Sequence, residues 1–455
     1  MSGTFSSLSS ALSALRYNRV AIDVASGNVA NASTPGYARR QVIGQSTGAP
    51  AQPAIWSRWE GAAGGVEASR IDRMVDPLLD ARARAEHGSS TFQTSRAASL
   101  VRLETSLAEP GPNGVAAALQ NYQAAWHDVA NSPGDDASRA QLLARAETLR
   151  AAVTSQASAV SNEWADQRVR VESSVQEVNQ VAGQLADLNR GLRAAYVGGT
   201  EAGTLLDQRD QLTLRLAELT GAAVTVNVDT TVDVRVGGQV LVTGNNAYPM
   251  TVTGATDLAD AGTDPVTLQV NGVDVTLTSG GIGATQRLLN TDLPVYAARL
   301  DSFVATMVAA VNTQHQAGAD LDGNAGGDFW SGTTAATLQV AITDRRTIAA
   351  ADPAKGGLDN TNADTLGGLD IGGGDYRNLV TSFGVVVGSA KQGAANQATL
   401  TAQVDASRES LSGVNIDEEM VNLLAAQRGY EGAARVLTAM DSMLDTLINR
   451  TGLVR

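Results

Sequence analysis

Ser412-Gly-Val-Asn-Ile-Asp-Glu-Glu-Met420, with the run on to Arg450, decides how this chain is read. Apolar residues recur in steps of three and four: Ile416, Met420, Leu423, Tyr430, Ala434, Leu437, Met440, Leu444 and Leu447. That spacing predicts the seam of a helix packed lengthwise on other helices. Asn415 stands as N-cap, and Glu418 sits where a capping-box acid reaches back to it. Asp417, Glu418 and Glu419 place negative charge at the positive end of the helix dipole. Arg450 and Gly452 mark the stop. At ~1.5 Å per residue the helix is roughly 50 Å long, more than the width of a small domain.

Working outward, the opening stretch has the same seam in Phe5, Leu8, Leu12, Leu15, Ile22 and Val29. Arg19 and Ser26 interrupt it, and Ala11, Ala14, Ala21 and Ala25 widen it. Asn31-Ala-Ser-Thr-Pro-Gly36 breaks it. Two amphipathic helices at opposite ends of a chain each need the other or a neighbour. Two core helices of one ordinary domain would show the same periodicity, so that alternative stays open.

Composition narrows the class. A chain of 455 residues is long enough for two to four domains, and 43% hydrophobic residues exclude disorder throughout. Aromatics are only 4% while Gly and Ala abound, which suits close helix packing. A net charge of −14 argues against nucleic acid or an anionic membrane as partner. The absence of cysteine excludes disulfides and thiol chemistry. No apolar run approaches the ~18 residues that span a bilayer; Phe303–Val311 is the nearest and reads as a core helix. The opening residues lack the zones of a cleaved secretory signal, so export would take another route.

Between the ends, helix is expected from Asp72 to about Ala108 and from Val115 to Val129, with an irregular pattern before them over 40–70. The longest periodic stripe follows: Leu142, Ala146, Leu149, Val153, Val160, Trp164, Val171, Val175, Val178, Ala182, Leu185, Leu188 and Leu192. Its length predicts a rod-like bundle. Leu205–Leu219 continues as helix and Gly221 ends it. The period then switches to two, in Val224, Val226 and Val228, in Val232, Val234 and Val236, and in Val240 and Val242. Val266, Leu268 and Val270 face Val273, Val275 and Leu277 across Asn271-Gly272, a strong hairpin signal. A small β domain is therefore expected, projecting outward from a helical frame. Helix resumes from about Thr285 to Gln314, bent at Pro294. A strand over 338–342 and a Gly-rich turn at 372–374 lead to a last inner helix, Tyr376 to Leu411.

These residues also carry a resemblance. Val29-Ala-Asn31-Ala-Ser-Thr-Pro35-Gly36-Tyr37-Ala-Arg39 resembles the N-terminal signature of bacterial flagellar axial proteins, the rod, hook and hook-associated group. Asn415, Glu418 and Ala425-Ala-Gln427-Arg-Gly-Tyr-Glu431 resemble that group's C-terminal signature. Ser412–Glu419, Leu205-Leu-Asp-Gln-Arg-Asp210 and Val311-Asn-Thr-Gln-His315 are most similar to its hook-associated branch. Longer members carry a further outer domain after about residue 330, which this chain is expected to lack.

The resemblance implies a structural component of the flagellum at the hook–filament junction, polymerised through its terminal helices. The implied fold is mainly α with a small inserted β domain: a long helical bundle plus paired N- and C-terminal coiled-coil helices. Its expected parts are 1–45 with 408–455 as terminal helices, and 46–222 with 285–330 and 375–407 as bundle. Residues 223–284 would be the β insert, and 331–374 a strand and loop packed on the bundle. The assembly interface falls on Leu8, Leu12, Leu15, Ile22, Val29, Ile416, Met420, Leu423, Tyr430, Leu437, Met440, Leu444 and Leu447. Implied partners are identical subunits in a ring or tube, hook protein, a second hook–filament junction protein and an export chaperone at the C-terminal helix. No nucleic acid and no membrane are implied. The implied location is extracellular, reached through the flagellar type III apparatus without a cleaved signal. A hook or distal rod protein is one alternative; a secreted enzyme on flagellar termini and a helical export-apparatus protein are others.

Catalytic and metal motifs are weak. His87, His127 and His315 lie in unrelated segments with no zinc-binding pair. There is no nucleophile elbow or phosphate loop, and the glycines at 280, 281 and 283 form an incomplete dinucleotide fingerprint. Asp320, Asp322, Asn324 and Asp328 alternate as calcium ligands do, but Ala325 and Ser331 occupy the glycine and glutamate positions. No enzyme activity and no cofactor are expected, and a polar turn explains the acids.

Overall fold

The computed structural model describes residues 2–47 and 64–446, with side chains from Leu8 onward. Helix α1 (Ser2–Ala30) leads into strand β1 (Arg40–Thr47), which pairs antiparallel with β2 (Gly65–Arg73). The stretch expected to be irregular thus holds a hairpin. Its strands are too polar for a clear alternation, so tertiary support decides: the hairpin packs on α1. Trp56 and Trp59 lie outside the described residues.

Helix α2 (Pro77–Leu107) starts on Asp76, whose carboxylate accepts from the Leu78 and Leu79 amides. Helix α3 (Val115–Asn131) follows. Helix α4 (Asp136–Gly198) is 63 residues long, roughly 95 Å at ~1.5 Å per residue. The stripe read from the sequence is its buried face, from Leu142 to Leu192, with Leu188 half-buried. Helix α5 (Gly203–Thr220) turns back along α4 and ends on left-handed Gly221, as expected.

Strands β3 (Ala223–Val226), β4 (Val232–Val236), β5 (Gln239–Thr243) and β6 (Asn246–Ala247) form one antiparallel sheet in that order. Strands β7 (Met250–Thr253), β8 (Thr267–Val270) and β9 (Val273–Val275) form a second. Asn271 and Gly272 both have positive φ, 53° and 76°, as the hairpin turn requires. Val232, Val234 and Val236 are buried, but Val226, at the end of edge strand β3, and Val228, in the turn after it, are exposed. A register shift after Val234 buries Leu241 beside Val242, displacing the expected Val240.

These sheets do not form an outward tip. Asn189 of α4 exchanges two hydrogen bonds with the Val232 backbone, at 2.9 and 3.0 Å. Asn179 does the same with Met250, both at 2.8 Å. Strand backbones held this way lie along the flank of α4. An amide side chain matches the paired N–H and C=O of a strand residue, and no sequence period reports it.

Helix α6 (Gly280–Arg287) passes through one π-turn, Leu288–Asp292, into α7 (Leu293–Gln316) with Pro294 in its first turn. Gly280, at φ +76°, lies so close to Gly221 that a Cβ would sit 2.6 Å from its nitrogen. Its glycines serve close packing and a turn. Gly280–Gln316 is long and apolar enough by composition to cross a membrane, which corrects the expectation of no such run. Leu300, Phe303, Val304, Met307 and Val311 are buried within the bundle, so it is a core helix.

The end of the body away from the chain termini holds α3, the short strands β10 (Trp330–Ser331) and β11 (Gln339–Val340), and helix α8 (Thr361–Gly368). Helix α9 (Gly373–Ser412) returns along α2, and α10 (Ile416–Asp445) then packs against α1. The body core is well filled; Trp126, Trp164 and Trp330 are fully buried.

Candidate functional site

Helices α1 and α10 run antiparallel, since Asn28 meets Glu419 and Asn18 lies against Gly429. The described contacts of α10 with other elements are chiefly with α1. Its N-terminus is as expected: Asn415 accepts from the Asp417 and Glu418 amides at 3.0 and 3.3 Å. Glu418 turns to Arg39 instead of closing a capping box. The nearby opposite charge draws it outward.

The single seam expected on α10 is in fact two stripes. Glu419, Ala426 and Met440 are buried, and Ala433 falls between them at the same seven-residue spacing. Leu423, Leu437 and Leu444 are half-buried beside them, while Tyr430 is 41% exposed. Small residues at the closest positions let α1 approach. The second stripe faces solvent: Ile416 is 52% exposed, Met420 46%, Val421 65% and Leu424 51%. Val436 and Met443 are exposed further along. Val421, Leu424, Val436 and Met443 lie off the three-four ladder, so periodicity missed them. Leu8, Leu15, Ile22 and Val29 on α1 are half-buried, and Leu12 is exposed. Phe5's side chain, Leu447, Arg450 and Gly452 lie outside the described residues.

The terminal pair meets the body at a polar root. Asn28 is fully buried and donates to Glu419 Oε2 at 2.9 Å and the Arg40 carbonyl at 2.8 Å. Its Oδ1 accepts from the Tyr37 hydroxyl at 2.8 Å and the Arg40 amide at 3.0 Å. Burial pushes the Tyr37 phenol up, opposed by Arg40, which lies over its ring. Arg40 also reaches Asp207 at 3.3 Å and Glu201 at 3.2 Å. Arg73 binds Asp207 at 2.7 Å and Asp210 at 2.8 Å. Gln211 donates to the Pro35 carbonyl, and Gly36, at φ +76°, leaves no room for a Cβ against Gln211. So the loop from Asn31 to Arg39, the 205–210 run of α5 and the start of α10 converge here. Asn31 donates back to Gly27 of its own helix, and Gln427 is exposed.

The remaining motifs are structural. Asn312 accepts from the Phe329 and Trp330 amides, and His315 bridges the Gly327 carbonyl and the Ala349 amide. Asp320 accepts from the Asp322 and Asn324 amides at 2.9 and 2.8 Å, while Asp322 pairs with Arg346. Those acids close a turn. Among the described residues no group of three or more His, Cys, Asp or Glu side chains could hold a metal ion.

Comparison with known proteins accords with this layout. A family model, flagellar hook-associated protein FlgK helical domain, matches residues 100–330, just over half of the chain. The chain belongs to the flagellar hook-associated protein FlgK family. It is a structural component of the flagellum. Two further models match its ends: flagella basal body rod protein over 8–37 and flagellar basal body rod FlgEFG protein C-terminal over 408–450. Flagellar hook-associated protein 1 of Bacillus subtilis is 25% identical, covering 99% of each chain. That of Escherichia coli is 24% identical over 97% of this chain and 99% of its own. The E. coli match runs over 555 aligned positions against 455 residues here, so that relative carries segments absent from this chain. The flagellar hook junction protein FlgK from Burkholderia pseudomallei shares the fold, with a TM-score of 0.65 and 16% identity. It is matched over its whole length by 73% of this chain.

Proposed function

We propose that the protein is the adapter at the hook–filament junction and that it polymerises through its terminal helices. The observation that carries this is the solvent-facing stripe Ile416, Met420, Val421 and Leu424 on a helix whose other face is already occupied by α1. Full burial of such a side chain is worth about 2 kcal/mol, so half-exposed residues retain about 1 kcal/mol each for a neighbour to realise. The contact repeats at every subunit, and a two-helix unit has too small a core to hold alone. A heterologous repeat of this kind builds a ring or tube of identical subunits.

In this reading the predicted interface residues divide by role. Leu423, Leu437, Met440 and Leu444 hold α10 to α1, and Ile416, Met420 and Tyr430 meet adjacent copies. The terminal unit comprises 1–45, joined by residues 64–73 of the hairpin, and the chain from 413 on. Residues 408–412, expected there, end α9 on the body, where Arg408 binds Asp80. The remaining helices form the body and 223–284 the insert. The outer domain of longer relatives is absent after residue 330. Hook protein and a second junction protein are the axial neighbours, and an export chaperone covers the C-terminal helix beforehand. Export runs through the type III apparatus without a cleaved signal, to an extracellular site. The role is mechanical, with no enzyme activity and no cofactor. Deleting residues 416–450 is expected to leave a soluble, folded body and cells without attached filaments. Normal swimming with that truncation would overturn the proposal.

A further inference from the structure

Two chain segments cross between the terminal unit and the body, at 74–76 and 413–415, and the loop 31–39 lies against both. They meet at one residue. The Arg39 amide donates to the Ser412 carbonyl at 2.9 Å, and the Arg39 carbonyl accepts from the Met74 amide at 2.8 Å. Its guanidinium binds Glu419 at 2.9 Å through Nε and 2.7 Å through Nη2, and reaches Glu418 at 3.3 Å. Arg40 points the other way, to Asp207 and Glu201 on the body side. Successive residues of extended chain face opposite sides, so this pair straddles the joint with one cation on each member.

We propose that Arg39 is the positioning residue of this joint, fixing through Glu419 the direction in which the terminal pair leaves the body. The two backbone hydrogen bonds tie Arg39 to the ends of α9 and of the hairpin, while Arg40, Arg73 and Gln211 tie the same loop and hairpin to α5. The Arg39 guanidinium adds the direction of α10 to these ties, because two nitrogens of its rigid plane close on one oxygen of buried Glu419, Oε1. Glu419 is 3% exposed, and Asn28 and Asn422 also donate to it, so its own position is set. The consequence for assembly rests on the proposed function: a neighbour can match only a terminal pair held at one angle.

The test uses the isolated full chain, which has no native cysteine to compete with labels. Spin labels at S26C and S173C, both exposed, report the angle between α1 and α4. The parent is expected to give one narrow distance peak. Arg39→Ala is expected to lose that peak while the body's melting midpoint stays put. Glu419→Gln, which keeps size but removes the charge and one of two acceptor oxygens, is expected to lose it too, and the double variant to lose no more than either single. Arg39→Lys, with the charge but not the fork, is expected to restore it only in part. A narrow peak in Arg39→Ala would overturn the proposal, as would a fall in the body's melting midpoint. If the peak is lost yet filaments attach normally, the joint stands and the assembly reading fails.

Discussion

The body and the terminal pair solve the same packing problem with opposite results. In the body, Trp164 is fully buried with its indole N–H on the Leu289 carbonyl, and α4 has helices and sheets along its length. In the terminal pair, the described contacts of α10 are chiefly with one helix, and its second apolar stripe stays in water. The body is closed within one chain, and the pair leaves an apolar stripe that the proposed assembly would cover. Large apolar residues are thus covered in one region and open to solvent in the other.

The comparison would break first at Trp164. Trp164→Ala is expected to cost about 3–5 kcal/mol, read as a lower urea midpoint for the whole body. A loss confined to one helix would mean that the body is not one cooperative unit. Next is the cap of α10. Asn415→Ala removes the acceptor for two amides and is expected to cost ~1 kcal/mol locally, seen as faster amide exchange over 416–420. The body's exchange should not change.

Two of the three histidines sharpen the contrast through pH. His87 sits between Glu218 and Asp405, and the Glu218 bond raises its pKa against the effect of burial. The folded state therefore holds this proton more tightly than the unfolded chain. That stability is complete below pH ~6.5 and is lost as pH rises through the folded pKa. His315 is the reverse: burial lowers its pKa, although the Gly327 carbonyl opposes this. The unfolded chain takes up its proton first, so stability falls as pH drops below ~6.5 toward the folded pKa. His87→Gln should flatten the alkaline limb of a melting-against-pH profile. Because His87 also holds the Glu218 carboxyl below its ordinary range, the variant should change the profile again below pH ~4.5. It should leave unchanged the limb just below pH ~6.5 that His315 sets. An unchanged alkaline limb would contradict the assignment. The smallest effect is expected on the open stripe. Met420→Asp with Leu424→Asp should leave the body's melting midpoint unchanged while abolishing filament attachment.

Much of this was legible in the sequence where the signal is local. The Asn415 cap, the Gly221 stop, the Asn271-Gly272 turn and the buried stripe of α4 each depend on residues within a turn or two. The root was not legible as a site. Asn28 and Glu419 are 391 residues apart, and neither breaks a pattern in its own segment. Polar strands β1 and β2 and the Gly-containing α8 give weak periods, so tertiary contacts decide them. The second stripe on α10 was hidden because one helix was read for one seam. The sheets' position along α4 depends on Asn179 and Asn189, which look like ordinary surface amides in a helix.

The most direct test of the central claim is the thiol reactivity of Leu424→Cys in a chain otherwise free of cysteine. Labelling by a maleimide is expected to be fast in the isolated protein and strongly suppressed in assembled flagella. Equal labelling in both states, or protection already present in the isolated protein, would contradict the account.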